Sequence, residues 1–436
     1  MIDETHDPAR LSFVASANGH PDFPIQNLPF GVFSPAGAAP RGGVAIGDQV
    51  LDLSEAAASP LLSGDAQLAA AACGGQLNDL LALPPQARRD LRRQLSTLLV
   101  KGSEHAQTVS AWLHPAALCE LHPPARIGDY TDFYAGIHHA LNVGRQFRPD
   151  QPLLPNYKHM PIAYHGRASS IRVSGAPVFR PSGQRKAPDR DTPDFGPSER
   201  LDFELELGVW IGGENALGSP VPIAEAGRRV AGLCLLNDWS ARDLQTWEYQ
   251  PLGPFLAKNF LTTISPWIIT AEALEPFRIA AQARAPSDPQ PLPYLWDAQD
   301  QAHGGFSIIL GVLLRTQGMR ERAEPPVKIS HGSARHLYWT AAQMVAHHTA
   351  GGCDLRPGDL FGTGTVSTPD DEGLGSLLEM TRGGRAPLHL PGGETRGFLE
   401  DGDEVSLTGR AEAEGFVGIG FGPCVGTVRI STLGVS

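Results

Sequence analysis

The sequence predicts a mainly β protein with some helix, divided into a small N-terminal domain and a large C-terminal one. Three observations support this fold class. The chain has 436 residues, which is too long for one ordinary hydrophobic core. Its 49 glycines and 38 prolines favour frequent turns and short helices. Short segments of alternating or continuous apolar residues, typical of strands, recur through the second part of the chain.

Composition and charge exclude several classes of protein. A hydrophobic content of 41% with 19% charged residues is typical of a soluble globular protein. The net charge of -12 repels nucleic-acid backbones and anionic lipids, so we expect neither as a partner. The acidic start Met1–Glu4 and the lack of an apolar run of roughly 20 residues predict a cytoplasmic protein. Five cysteines without C-x-x-C spacing predict reduced thiols, with neither disulfides nor zinc.

The first part of the chain carries no recognisable chemistry. Residues 43–51 are strand-like, and the stretch 61–99 is rich in alanine and leucine, which predicts helices. The segment His122–Arg126 contains two prolines, which interrupt any regular element. We therefore place the domain boundary there, between residues 1–124 and 125–436.

The second part of the chain predicts a large mixed β domain. The helix-like stretch 335–348 is followed by a glycine pair, and the polar stretches 181–199 and 275–293 predict surface loops. The predicted strands are 201–211, 230–236, 267–270, 306–314, 404–408 and 415–421.

The segment Leu201–Leu207 alternates strictly between apolar and acidic residues. A strand would place Asp202, Glu204 and Glu206 on one face. The structural alternative is a half-exposed strand with an acidic outer face. Asp238 closes the next apolar run and so falls at a strand end.

A further carboxylate precedes a pair of histidines. Asp132 lies seven residues before His139, and a helix would return the two side chains nearly to one face. The carboxylates together form an all-oxygen set, which suits Ca²⁺, Mg²⁺ or Mn²⁺ better than zinc.

A helix is predicted to begin at Ser240, with Asp243 completing a capping box. Arg242, Gln245 and Tyr249 then share one polar face, which could hold an anionic substrate. The alternative is a solvated face whose arginine pairs with some acid. The sequence offers Lys258 and Thr262 as a further cation and a further hydroxyl just beyond.

Six ordered blocks stand out in this sequence, at 127–134, 164–170, 204–206, 237–243, 251–256 and 355–360. Together they resemble the fumarylacetoacetate hydrolase family. The resemblance implies a small N-terminal SH3-like barrel followed by a large mixed β-sandwich roll, assembled as a homodimer. It also implies a hydrolase that cuts a carbon-carbon bond in a diketo acid, releasing fumarate and acetoacetate in tyrosine and phenylalanine degradation.

The same resemblance implies roles for individual residues. The ligands of Ca²⁺ would be Asp132, Glu204, Glu206 and Asp238, with Lys258 and Thr262 beside a second, Mg²⁺-type position at Asp238. His139 would be the general base, oriented by Glu379. Substrate contacts would be Tyr134, Arg148, Tyr164, Gln245, Tyr249 and Thr365. Developing charge would be stabilised by Arg242, Gln245 and Lys258.

Two questions stay open at this point. His138 precedes His139 directly, and helical phase from Asp132 favours His139 because a six-residue step points away. The alternatives in function are an acylpyruvate hydrolase or related carbon-carbon bond enzyme of the same superfamily, and a non-catalytic metal- or metabolite-binding protein. A binding role needs no base, so His139 and Glu379 argue against the second.

Overall fold

A computed structural model describes residues 1–431 as a mixed β protein with short helices, which confirms the predicted fold class. The strands, in chain order, are β1 (Phe30–Pro35), β2 (Arg41–Ile46), β3 (Gln49–Asp52), β4 (Leu113–Pro115), β5 (Cys119–His122), β6 (Tyr130–Phe133), β7 (Ala163–Gly166), β8 (Ile171–Val173), β9 (Pro177–Phe179), β10 (Ser182–Arg185), β11 (Asp194–Pro197), β12 (Leu201–Asp202), β13 (Leu205–Ile211), β14 (Val230–Asp238), β15 (Ser240–Ala241), β16 (Thr262–Ile264), β17 (Trp267–Thr270), β18 (Arg278–Ile279), β19 (Gly305–Phe306), β20 (Ile308–Arg315), β21 (Val327–Ser333), β22 (Leu360–Gly362), β23 (Leu388–His389), β24 (Thr395–Arg396), β25 (Glu404–Ala411), β26 (Ile419–Gly420) and β27 (Cys424–Arg429).

The helices are short, as the glycine and proline content predicts. In chain order they are α1 (Leu53–Ala58), α2 (Gly64–Ala71), α3 (Asn78–Ala82), α4 (Pro85–Leu99), α5 (Ala106–Ser110), α6 (Ile137–Phe147), α7 (Ile223–Ala226), α8 (Arg242–Glu248), α9 (Ala298–His303), α10 (Gln317–Glu321), α11 (Ala341–Thr349) and α12 (Leu377–Met380). Among residues 1–431, none of the helices combines the length and apolar character needed to cross a bilayer.

Two sheets make up most of the molecule. The larger has 13 strands, ten of them along the path β4-β3-β2-β1-β17-β14-β13-β22-β6-β7; β5 pairs with β1, β16 with β14 and β8 with β16 beside this path. The smaller has six strands, with β21-β20-β25-β27-β9 as its main path. Strand β1 pairs antiparallel with β17, so the N-terminal strands extend the large sheet across residue 124. Within residues 1–431 these strands form an open sheet and do not close into the SH3-like barrel that the resemblance implies.

The centre of the large sheet is covered on both faces. In β13, Leu207 and Val209 face the core that also contains the smaller sheet, whereas Trp210 faces the core under α1, α2 and α4. In β14, Leu235 and Leu236 divide between the same two cores. Burial on both faces explains why these strands read as nearly continuous apolar runs.

Two predicted elements around the site are wrong in detail. The predicted strand 201–211 is interrupted at residues 203–204, between β12 and β13. The predicted capping box at Ser240 does not form, because Ser240 lies in β15 and its hydroxyl donates to the Asp238 carbonyl. Asp243 instead accepts hydrogen bonds from Ser198 and from the Glu199 backbone, and α8 begins at Arg242.

Three other predicted elements also differ. The polar stretch 181–199 is not a plain loop, since β10 and β11 form a hairpin within it. The predicted strand 415–421 contains only the two residues of β26. The predicted helix 335–348 begins only after Thr340, whose hydroxyl forms a capping box with Gln343.

Candidate active site

Three strand residues bring carboxylates to one place. Asp132 lies in β6, Glu206 in β13 and Asp238 at the end of β14, and one oxygen of each lies within 4.8 Å of the others. All three side chains are buried. Asp202 and Glu204 are buried as well as Glu206, so the alternative of a half-exposed acidic face on the segment Leu201–Leu207 is wrong. Strand β22 runs between β13 and β6, and its Gly362 leaves the space that the carboxylates of Asp132 and Glu206 occupy.

Neighbouring groups hold these carboxylates in place. The Gly364 amide donates to Asp132 Oδ1 at 3.2 Å and to Glu206 Oε2 at 3.0 Å. The Tyr130 hydroxyl donates to Asp132 at 3.1 Å, and a second tyrosine hydroxyl, that of Tyr164, donates to Asp238 at 2.8 Å. The remaining oxygen of Glu206, Oε1, is buried and has no hydrogen-bond partner within residues 1–431.

The charge at this cluster fits a hard divalent cation. Burial raises the pKa values of Asp132 and Glu206 well above the usual range, and repulsion from neighbouring carboxylates adds to the effect. A cation coordinated by these oxygens would remove that repulsion and would give Glu206 Oε1 its missing partner. The cluster is therefore a group that could hold a metal ion.

Glu204 lies beside this cluster but is bound to two cations. Its carboxylate accepts a hydrogen bond from Arg242 Nη1 at 2.7 Å and contacts the Lys258 ammonium. Burial works to raise the pKa of Glu204, but Lys258 and Arg242 outweigh it and hold that pKa below the usual range. Lys258 also lies 2.5 Å from Asp238 Oδ2, and Thr262 Oγ1 lies 3.5 Å from Asp238 Oδ1.

A buried histidine and carboxylate form a pair next to the cluster. His139 Nδ1 lies 2.6 Å from Glu379 Oε2, and His139 Nε2 lies 3.9 Å from Glu204 Oε1. Burial works to raise the pKa of Glu379, but His139 and hydrogen-bond donors hold it below the usual range. The pair has the geometry of an oriented general base.

The helical argument that connected Asp132 to His139 is wrong, although His139 does face the cluster. Asp132 belongs to strand β6, and His139 lies in α6, which begins only at Ile137. His138 packs against His336, with ring centroids 5.5 Å apart.

Some of the predicted substrate-contact residues lie close to the His139–Glu379 pair or to Arg242, and others do not. The Tyr134 ring packs edge-on against His139 at 5.5 Å, and Gln245 Oε1 accepts from Arg242 at 3.3 Å. Thr365 is buried next to Gly364. The other two candidates are Arg148, at the end of α6, and Tyr249, at the end of α8, which is partly exposed. Within residues 1–431, neither side chain forms a hydrogen bond to the carboxylate cluster.

Sequence reasoning missed the groups that hold Glu379. Asn142 donates to Glu379 Oε1 at 2.9 Å, and Ser367 and Ser376 donate to Glu379 Oε2 at 3.0 and 2.8 Å. One signal was present, because Ser376 and Glu379 have the S-x-x-E spacing of a capping box. Ser367 is brought in by the chain's return past β22, which leaves no local pattern.

Protein-family models match most of the chain. A family model described as fumarylacetoacetate hydrolase C-terminal matches residues 130–429, and one described as fumarylacetoacetase N-terminal matches residues 26–124. The chain is 44% identical to the fumarylacetoacetase of Rattus norvegicus, over 96% of this chain and 98% of that one. It is 47% identical to the fumarylacetoacetase of Caenorhabditis elegans, with the same coverage.

Solved structures share the fold at lower identity. The structure of a fumarylacetoacetate hydrolase from Exiguobacterium antarcticum matches with a TM-score of 0.50 and 15% identity, covering 92% of this chain and 99% of that one. The fold and the sequence matches together define a hydrolase. The chain belongs to the fumarylacetoacetate hydrolase family.

Proposed function

We propose that the protein hydrolyses the carbon-carbon bond of 4-fumarylacetoacetate and releases fumarate and acetoacetate. Relatives named fumarylacetoacetase that align over nearly the whole chain support this substrate. The observation that carries the chemistry is the His139–Glu379 pair, buried beside a carboxylate cluster that could hold a metal ion. The alternative function is the hydrolysis of acylpyruvates, and an assay with both kinds of substrate distinguishes the two.

The reaction needs two kinds of help at neutral pH. Water must lose a proton as it adds to a ketone, and a carbanion must leave, which a 1,3-diketone allows in the form of an enolate. A hard divalent cation, when bound, supplies a positive charge that orients the diketone oxygens and favours the enolate.

His139 is placed to take the proton from water. Its Nδ1 donates to Glu379, which leaves Nε2 as the acceptor facing Glu204 and the cluster. Because Glu379 is fixed by Asn142 and two serines, the imidazole ring is held in one orientation. A base held in this way needs little reorganisation when water adds.

Arg242 and Lys258 supply positive charge beside the carboxylates. Both are buried, and Arg242 Nη2 has no hydrogen-bond partner among residues 1–431, so the two N–H bonds of this nitrogen are available to an anion. Gln245 lies against Arg242 and is a candidate for the same role. Tyr134 and Tyr164 would form the wall of the pocket beside His139 and Asp238, and Arg148, Tyr249 and Thr365 complete the proposed substrate contacts.

Two metal positions belong to this proposal. Asp132, Glu204, Glu206 and Asp238 would bind Ca²⁺, and the convergence of three of them supports this set. A Mg²⁺ position beside Asp238, near Lys258 and Thr262, is also proposed; the Thr262 hydroxyl, 3.5 Å from Asp238 Oδ1, supports it as a further oxygen.

The assembly and location are also proposed. The protein would lie in the cytoplasm as a homodimer. Its partner would be the small-molecule substrate, and it would bind neither nucleic acid nor membrane. Its two domains would be residues 1–124 and 125–436. Exposed apolar side chains at Trp247, Leu252 and Phe255 support an interface between two copies, because soluble monomers seldom expose several together.

The test is an assay of the purified protein with fumarylacetoacetate, following loss of the diketone absorbance and release of acetoacetate. We expect chelation to abolish turnover and divalent metal to restore it. His139→Ala should lower kcat by about 10³-fold, because the base is lost, whereas the matched control His138→Ala should stay within about threefold.

Either of two results would contradict the proposal. If His139→Ala cleaves the substrate as fast as the wild type, His139 is not the base. If the wild type is inactive with fumarylacetoacetate but cleaves acylpyruvates, the substrate assignment moves to the alternative hydrolase.

A further inference from the structure

Asp202 is a fully buried carboxylate that the site described so far does not use. It begins the acidic alternation of the sequence, two residues before Glu204, but its side chain makes different contacts. The interruption of the strand at residues 203–204 separates β12, which carries Asp202, from β13, which carries Glu206. The three acidic residues of this segment therefore have different neighbours.

Four N–H groups donate to this one carboxylate. Oδ1 accepts from the amides of Phe203 at 2.9 Å and Leu377 at 2.8 Å. Oδ2 accepts from the Leu378 amide at 2.9 Å and from Arg242 Nε at 2.9 Å. A carboxylate has about four lone-pair positions, so Asp202 has none left for a metal ion or a substrate.

These contacts join the two halves of the proposed chemistry. Leu377 and Leu378 are the first residues of α12, the short helix that carries Glu379 and so orients His139. Arg242 is the buried cation that pairs with Glu204 through Nη1, while its Nε is bound to Asp202. One side chain thus fixes the position of the base's carboxylate and of the guanidinium.

We propose that Asp202 is a positioning residue that locks α12, and with it Glu379 and His139, in register with Arg242. The kinetic consequences of this inference rest on the proposed function, whereas the positioning itself rests on the four hydrogen bonds of Asp202. Its effect is expected in the rate of the chemical step, because a displacement of about 1 Å in a catalytic group can cost about 100-fold in rate.

Asp202→Asn is the first test, because it keeps the shape but replaces one acceptor oxygen by an N–H₂ group. That group would face a backbone amide or Arg242 Nε, both of which are donors. We expect kcat to fall about 10- to 100-fold, with KM changed less than about threefold and metal affinity unchanged by calorimetry.

Asp403→Asn is the matched control. Asp403 is equally buried, pairs with Arg396 through both oxygens and accepts the Glu400 amide, yet contacts none of the candidate site residues. It should reproduce any loss of thermal stability without the loss of kcat. An equal loss of kcat in both variants would overturn the proposal.

A double-mutant cycle identifies the route of the effect. If Asp202 acts through Glu379, Asp202→Asn should lower kcat by less than about threefold in a Glu379→Gln background. Effects that multiply in full would show that Asp202 does not act through Glu379, and would overturn the proposal. Should Asp202→Asn fail to fold, Asp202→Glu keeps the charge but shifts the anchor, and wild-type kcat in that variant would equally overturn it.

A spectroscopic reading separates this inference from the choice of substrate. The short His139–Glu379 hydrogen bond should give a low-field proton resonance that disappears in His139→Ala. We expect Asp202→Asn to shift or broaden this resonance and Asp403→Asn to leave it unchanged, whichever diketo acid the wild type cleaves. An unaltered resonance in Asp202→Asn would contradict the proposal.

Discussion

The ionisable side chains of the site are buried, and the way they pair decides what the site can bind. Buried charges persist only when they are paired or well hydrogen-bonded. Arg242 and Lys258 compensate Asp202 and Glu204 directly, and Lys258 also reaches Asp238. Asp132 and Glu206 have no cationic side chain within ion-pair distance in the described part of the chain. The deficit of positive charge therefore falls where the carboxylates converge.

Asp300, a buried carboxylate outside the site, leads to a prediction about how stability depends on pH. The hydroxyl of Thr340, the residue that caps α11, donates one bifurcated hydrogen bond to the two carboxylate oxygens of Asp300 in α9, at 3.0 and 2.9 Å. Burial, with a smaller contribution from Asp297, raises the pKa of Asp300 to about 6. Because this folded-state value exceeds the unfolded one of about 4, the stabilisation is complete below pH ~4 and is lost as the pH rises through about 6.

Asp300→Asn removes this titration and keeps an acceptor for Thr340. We expect the stability of the variant relative to wild type to rise by about 1–3 kcal/mol between pH 4 and pH 7, measured by urea unfolding at both values. Asp297→Asn, one turn away and more exposed, is the control and should show a much smaller change. A pH-independent difference between wild type and Asp300→Asn would contradict this assignment.

At the residue scale, the sequence marked carboxylates that the structure brings together, but not the ion pairs that the neighbouring carboxylates form. Alternation around Glu206 and the apolar run ending at Asp238 marked two carboxylates that do converge. The ion pairs of Glu204 could not be predicted, because Lys258 and Arg242 reach it from beyond the end of another strand. Such contacts depend on tertiary packing and leave no spacing in the chain.

At the scale of the element, the site depends on the one glycine of strand β22, Gly362. A Cβ on Gly362 of β22 would lie 2.4 Å from Asp132 Oδ1 and 2.8 Å from Glu206 Oε2, closer than real Cβ atoms approach. Both carboxylates would have to move.

Gly362→Ala should therefore weaken divalent-metal binding at least about tenfold, measured by calorimetry on metal-free protein, because ligand positions tolerate little displacement. Gly351→Ala is the matched control, since nothing lies within 4 Å of its added Cβ. Equal metal affinity in Gly362→Ala and wild type would show that the carboxylates are not the ligands.

Element prediction succeeded where packing agrees with local pattern. The predicted strand 267–270 coincides with β17, and the apolar run 230–236 lies within β14. It failed at Ser240, where a local capping pattern competes with pairing between β12 and β15, and the sheet hydrogen bonds prevail. The hairpin within 181–199 was missed because its two four-residue strands contain few apolar residues and are mostly not buried, so no apolar alternation marks them.

At the scale of the whole molecule, the large sheet crosses the predicted boundary at residue 124. Phe30 and Gly31 of β1 pair with Ile268 and Trp267 of β17, and Trp210 packs under the N-terminal helices. We therefore expect one cooperative unfolding transition, with coincident far-ultraviolet circular dichroism and tryptophan fluorescence curves.

The fragment 125–436 is the corresponding test variant. In the fragment, β17 would lose its partner strand β1, and the core around Trp210 would lose the N-terminal helices that cover it. We therefore expect the fragment to aggregate, or to unfold at least about 10 °C below the full chain. Two separate transitions in the full chain, or a fragment as stable as the full chain, would show that the two parts fold independently.

The parallel pairing of β6 with β22 has a consequence for how the protein reaches this structure. It joins Tyr130 to Leu360, and the Gly364 amide that bridges Asp132 and Glu206 comes from the same late segment. Closing such a long loop is slow, because its entropy must be lost before the contacts are gained. Most of the chain must therefore be synthesised before the carboxylates of Asp132 and Glu206 can be aligned. A partly folded chain that lacks this pairing would not have an ordered carboxylate cluster.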